Sequence, residues 1–158
     1  MDFSEKYILM CEKAKELRKK WKPEIGDWMK WYDKIIILNF KSSINAYYHF
    51  VDKDGNSGVI TLEDMLQKES IPIWRQDQLQ EIITEKEIKQ IMGLDYRSKK
   101  HIDLYWSFRF WFEKRAGEEY IQKLDSFEQL WLAFIMFIKY NKVWNDKKSK
   151  WDKTNAKF

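Results

Sequence analysis

Cysteine is nearly absent from this sequence. Among 158 residues there is one Cys (Cys11), with two His (His49 and His101), two Pro and five Gly. A single cysteine excludes an internal disulfide and with it the small secreted scaffold that depends on one. One Cys and two separated His leave no set of ligands for a structural zinc site. The few glycines form no phosphate-cradling loop, and no Ser or Cys stands in a recognisable nucleophile motif. Carboxylates are numerous but evenly spread, so no general acid–base pair stands out. Long apolar runs are missing too. The longest, residues 130–138, has nine residues, whereas a membrane span needs about 20. Residues 1–20 carry charges every few positions and no apolar stretch of the kind a secretory signal needs. These shortfalls lead to the expectation of a non-catalytic protein in a reducing, intracellular compartment, with no membrane partner.

What is abundant is aromatic: 9 Trp, 8 Tyr and 10 Phe. Such rings build cores and contact surfaces, with a polar handle on Trp and Tyr. Trp21, Trp28, Trp31, Trp74, Trp106, Trp111 and Trp131 are expected to serve mostly in the core. Trp is rarely enclosed completely, so some of them should form a surface patch suited to anchoring a protein partner.

Charge is uneven. Residues 139–158 hold seven Lys against two Asp, a net of +5, which exceeds the +4 of the whole chain. The first 22 residues are also basic, by seven to four. The body between them is mildly acidic, unlike a protein that coats nucleic acid uniformly. Within the last twenty residues, Lys139, Lys142, Lys147, Lys148, Lys150, Lys153 and Lys157 alternate with Tyr140, Trp144 and Trp151. Lysines can follow phosphates while rings stack on bases. The plainer alternative is that Trp144 and Trp151 dock on the core and the lysines face solvent.

Periodicity divides the chain into elements. Ser4 can cap a helix in which Tyr7, Ile8, Cys11, Ala14, Leu17 and Trp21 form one apolar stripe, running about five turns to Pro23. Cys11 on that stripe is expected to be buried and inert. Residues 28–32, 35–40, 46–51 and 59–62 are short β-branched and aromatic runs between polar turns, which predicts antiparallel strands. Thr61 with Asp64, Thr84 with Glu87, and Ser126 with Gln129 have the spacing of capping boxes. Pro72 should interrupt the chain, residues 75–83 should be helical, and Gly93 is a helix stop. Residues 104–112 fit both periods; the helix formers that follow, Glu113 to Ala116, favour a helix. Residues 130–138, apolar on every side, should lie in the middle of the core. The expectation is an α+β domain over residues 1–145, with a small antiparallel sheet at about 26–62, an N-terminal helix and several C-terminal helices, followed by a basic tail at 146–158.

Two local sites stand out. Asp52, Asp54, Asn56 and Glu63 occupy positions 1, 3, 5 and 12 of a calcium loop of the EF-hand type, with Ser57 where that loop needs glycine. A hairpin tip rich in Asp, Asn and Gly accounts for the same residues by local backbone bonding. Arg75 beside Trp74 can form a corner that recognises an anion or a base.

Three strings occur together: Lys6-Tyr-Ile-Leu-Met-Cys-Glu-Lys-Ala14, Trp74-Arg-Gln-Asp-Gln-Leu-Gln80, and Glu128-Gln-Leu-Trp-Leu-Ala-Phe134 followed by Lys142-Val-Trp144. In this order and spacing the chain resembles a group of uncharacterised small proteins of bacteriophages and prophages in low-GC Gram-positive bacteria. The resemblance covers about a third of the chain and excludes the β-rich segment. It implies a phage accessory protein that binds and modulates or inhibits a host protein or ribonucleoprotein, in the manner of an anti-defence or anti-CRISPR protein, and carries no catalytic residues with it. The other readings are a nucleic-acid or nucleotide-ligand binder using Trp74, Arg75 and the Lys/Trp-rich end, and a small nucleotide- or nucleic-acid-directed enzyme.

Overall fold

The computed structural model describes residues 1–42, 47–67, 70–92 and 100–154. The class is α+β, with a small antiparallel sheet, an N-terminal helix and C-terminal helices. The chain gathers into two compact units, one of Phe3–Trp74 and one of Met1–Asp2 with the chain from Arg75 onward. No helix among the described residues is long and apolar enough to cross a membrane.

In the first unit, Ser4 Oγ accepts the Tyr7 N–H at 3.2 Å and starts α1 (Glu5–Lys13). The single five-turn helix expected here is broken. Ala14 leaves helical geometry with ψ 57°, and the chain resumes as α2 (Lys15–Arg18). The break is held by Arg18, whose guanidinium donates to the carbonyls of Glu12 and Ser70, both at 3.2 Å. A carbonyl near the end of α1 therefore finds a side-chain partner. Tyr7, Met10, Cys11, Ala14 and Leu17 remain buried, as the stripe requires.

Strands β1 (Trp28–Trp31), β2 (Lys34–Lys41), β3 (Tyr47–Asp52) and β4 (Ser57–Thr61) lie where alternation placed them. After α3 (Leu62–Gln67), capped by Thr61 Oγ1 on the Asp64 N–H at 2.9 Å, comes a strand that was not expected, β5 (Ile71–Ile73). Pro72 does not interrupt the structure but sits in β5 opposite Met29. The sheet order β4-β3-β2-β1-β5 explains this, because β5 is an edge strand and has a side that needs no donor. The residue numbered 39 is an extra one on β2: Leu38 pairs with Phe50, and Phe40 with His49. This bulge turns Phe40 outward although Leu38, two positions earlier, is buried. Met29, Ile36, Leu38, Tyr48, Phe50, Ile60 and Met65 form the core of the unit, with Trp21, Trp31 and Leu62 at its margin.

The second unit contains α4 (Gln76–Glu81), α5 (Glu85–Met92), α6 (Lys100–Trp111) with a π-helical turn over Phe112–Ala116, α7 (Glu118–Ile121) and α8 (Phe127–Tyr140). The hairpin β6 (Lys142–Asn145) and β7 (Lys150–Lys153) closes it. The segment read as a basic tail is thus built into the fold as far as Lys153. Residues 131–137 of α8 are all buried, and α4 and β6 pack against that helix. Its N-terminus is closed by the start of the chain. Ser126 Oγ and Gln129 Nε2 both donate to one oxygen of Asp2, at 2.6 and 2.9 Å, an acidic group well placed for a helix N-terminus. The helix stop expected at Gly93, the strand start at Ala46, the His101 side chain and Lys157 lie outside what is described.

Gly58 shows how closely the sheet is packed. A Cβ at this position would lie 2.6 Å from Phe50 Cζ, and Phe50 is itself buried and edge-on to Trp31 at 5.6 Å. Gly58→Ala is therefore expected to destabilise the protein by about 1–3 kcal/mol through overpacking, read as a lower urea midpoint with an unchanged slope.

Candidate functional site

Helix α6 carries large apolar side chains all round. Leu104, Ser107 and Trp111 are buried. Phe108 stacks on Trp131 of α8 at 4.4 Å and 18°, and meets Phe134 edge-on at 5.3 Å; Trp111 lies 5.4 Å from Phe134. This side is core.

The other side is partly exposed. Ile102, Tyr105, Trp106 and Phe110 are 44, 56, 46 and 40 % exposed. Their spacing of three and four residues puts them on one helical face. Tyr105 and Trp106 meet edge-on at 5.5 Å, and Arg109 lies over the Trp106 ring at 5.3 Å. Arg109 Nε also donates to Glu113 Oε1 at 2.6 Å, which fixes the guanidinium on the ring. Phe112, at the start of the π turn, extends the exposed apolar surface. All nine tryptophans are described; Trp74, Trp111, Trp131, Trp144 and Trp151 are buried, and only Trp106 is exposed. Of the seven tryptophans expected mostly in the core, Trp74, Trp111 and Trp131 are buried, Trp21, Trp28 and Trp31 are half-buried, and Trp106 alone is exposed.

The residues singled out from sequence lie elsewhere, and Trp144 and Trp151 follow the plainer of their two readings. Trp144 and Trp151 face each other across the β6–β7 hairpin, edge-on at 5.2 Å and both buried. The Trp144 N–H donates to the Tyr120 hydroxyl at 3.0 Å, and its indole N–H to Asp146 at 2.8 Å. Burial pushes the Tyr120 phenol up to about 12. Lys148 and Lys150 reach Asp152 at 3.6 and 3.3 Å, and Asn145 with these lysines holds the Asp152 carboxyl below its usual range. Lys142 lies opposite Lys153 in the hairpin, and Lys147 is exposed. Lys139 is an internal strut, donating to the Ile82 carbonyl at 3.0 Å and to both oxygens of Glu87 at 2.7 and 2.8 Å. Trp74 is buried, its carbonyl accepting the Tyr7 hydroxyl at 2.6 Å. Arg75 spans Asp77 with Nε and Nη2 at 3.1 and 3.2 Å, so the fork that would read an anion already holds a carboxylate.

Asp52 is a hairpin-tip residue. Its oxygens accept the N–H groups of Asp54 and Asn56 and the Asn56 amide, at 2.8 to 3.2 Å. These bonds, that of the Asn56 side chain foremost, hold its carboxyl below the usual range. Glu63 stands beyond β4 in the first turn of α3, on the order of 15 Å along the strand from the tip. It does not return to the loop as a calcium ligand must. Among the described residues, no three His, Cys, Asp or Glu side chains are grouped to hold a metal ion.

The chain matches no protein-family model, no curated protein and no solved structure.

The Lys139–Glu87 pair yields a test that separates a strut from a phosphate contact. Burial raises the Glu87 carboxyl, but Lys139 and the Thr84 N–H outweigh it and leave the group below its ordinary 4.5. The pair's contribution is therefore complete above pH 4.5 and lost as pH falls through the lower folded value. Lys139→Met should cost about 1.5–3 kcal/mol at pH 7. In urea titrations the gap from the parent protein should narrow below pH 4.5.

Proposed function

We propose that this chain is a non-catalytic protein that binds another protein through the outer face of α6. The observation that carries this reading is the row Ile102, Tyr105, Trp106 and Phe110, exposed at one face of a helix whose opposite face is core. Helices that dock in a partner's apolar groove present anchors at these intervals. Trp, Tyr and Arg are also the side chains that dominate interface energetics, each worth about 2 kcal/mol or more when centrally buried. Arg109, held over Trp106 and paired with Glu113, adds a polar margin. The partner called for is a folded protein with an apolar groove. The resemblance to phage accessory proteins supports a host protein of a low-GC Gram-positive bacterium as that partner, modulated or inhibited by occlusion.

The test compares the parent protein with the double variant Trp106→Gln, Phe110→Gln in nuclease-treated host lysate, with crosslinks mapped by mass spectrometry. Both positions are exposed, so stability should stay within about 0.5 kcal/mol. A protein captured by the parent, crosslinked at α6 and lost by the double variant is the expected result. The affinity loss should exceed about 30-fold. Capture that persists in the double variant, or that disappears with nuclease, would overturn the reading. Lys147→Glu with Lys148→Glu should leave capture intact.

A further inference from the structure

An open cavity of about 370 Å³ lies in the first unit, within the range of small-ligand sites. One wall is basic. Lys15, Arg18 and Lys19 fall at i, i+3 and i+4 along α2 and its C-terminal cap, and all three line the cavity. Arg18 is held only by neutral acceptors, the carbonyls of Glu12 and Ser70. Among the described residues, none of the three forms an ion pair with a carboxylate, and no acidic residue lines the space. Three cations around one concavity, with no carboxylate partner among the described residues, favour an anion there.

The remaining lining narrows the chemistry. Trp21, Met65 and Pro72 supply an apolar side, and the Trp21 indole is anchored by its N–H on Asp27 Oδ2 at 3.1 Å. Ser70, 4 % exposed, also lines the cavity, and its hydroxyl has no hydrogen-bond partner among the described residues. A buried hydroxyl left unpaired carries a desolvation penalty, and a ligand atom that bonds to it removes that penalty. We infer that this cavity binds a small phosphorylated compound with a planar ring, the chemistry of a nucleoside monophosphate. Arg18, Lys15 and Lys19 take the phosphate, and the ring lies against the Trp21 side. The inference is independent of partner binding by α6, since it rests on residues of the other unit.

The test is calorimetry on the full chain with adenosine monophosphate, with ribose 5-phosphate and adenosine as the arms that lack ring or phosphate. Adenosine monophosphate should bind more tightly than either. Lys15→Gln with Lys19→Gln, both exposed, should weaken it by roughly tenfold to a hundredfold. Ser70→Ala should weaken binding several-fold yet leave the free protein's thermal midpoint unchanged or higher, an opposition that a merely structural role would not produce. The proposal is overturned by any of three results: equal binding of ribose 5-phosphate, binding indifferent to these substitutions, or preference for a single-stranded oligonucleotide with a steep salt dependence.

Discussion

A helix that is apolar on every side needs neighbours on every side, and the second unit contains two such helices. Helix α8 has its need met: residues 131–137 are enclosed, Trp144 and Trp151 are buried in the hairpin that follows it, and Asp2 closes its N-terminus. With α8 in the middle, α6 can give it only one face. Phe108 and Trp111 occupy that face through close ring contacts, and Tyr105, Trp106 and Phe110 on the outer face stay half-exposed. Each exposed ring forgoes burial worth about 25 cal/mol for every Å² of apolar area. That deficit stays with the free chain until something else covers the helix.

Electrostatics follow a similar division between groups used internally and groups left over. The sequence concentrates its positive surplus in residues 139–158, yet three of the seven lysines there are engaged. Lys139 is drawn inward onto Glu87, and Lys148 and Lys150 share Asp152. At the opposite end of the sequence, Lys15, Arg18 and Lys19 have no carboxylate partner among the described residues. Net charge along a chain thus locates the supply of lysines, whereas counter-ions in space decide which of them retain a free field.

Much of the fold was legible because its signals are local. Ser4, Thr61, Thr84 and Ser126 each bond the N–H three residues on, and the capped helices begin there. The first four strands follow from alternation and turn residues. What could not be read depends on partners distant in sequence. The break at Ala14 is fixed by Arg18 on Ser70, 52 residues away, and Pro72 is acceptable in β5 only because that strand is an edge. The bulge on β2 becomes visible only once β3 supplies the register. The candidate sites were hidden for the same reason. Periodicity identifies α6 as a helix and sorts its faces, but it does not say which face α8 will cover. Trp144 and Trp151 read as either docked or available rings until the hairpin turns them against each other.

Two buried hydroxyls show why position decides what an unpaired polar group means. Ser107 and Ser70 both lack a hydrogen-bond partner among the described residues. Ser107 is fully buried on the packed face of α6, one turn from Leu104 and from Trp111. A small side chain there permits close helix packing, and its hydroxyl has no route to a ligand. Ser70 borders an open cavity, and its own carbonyl helps to hold the Arg18 guanidinium. The same residue thus orients a cation through its carbonyl and carries an unpaired hydroxyl beside one space. An isolated vacancy in a core is a packing compromise; a vacancy beside fixed, uncompensated charge is half of a binding site.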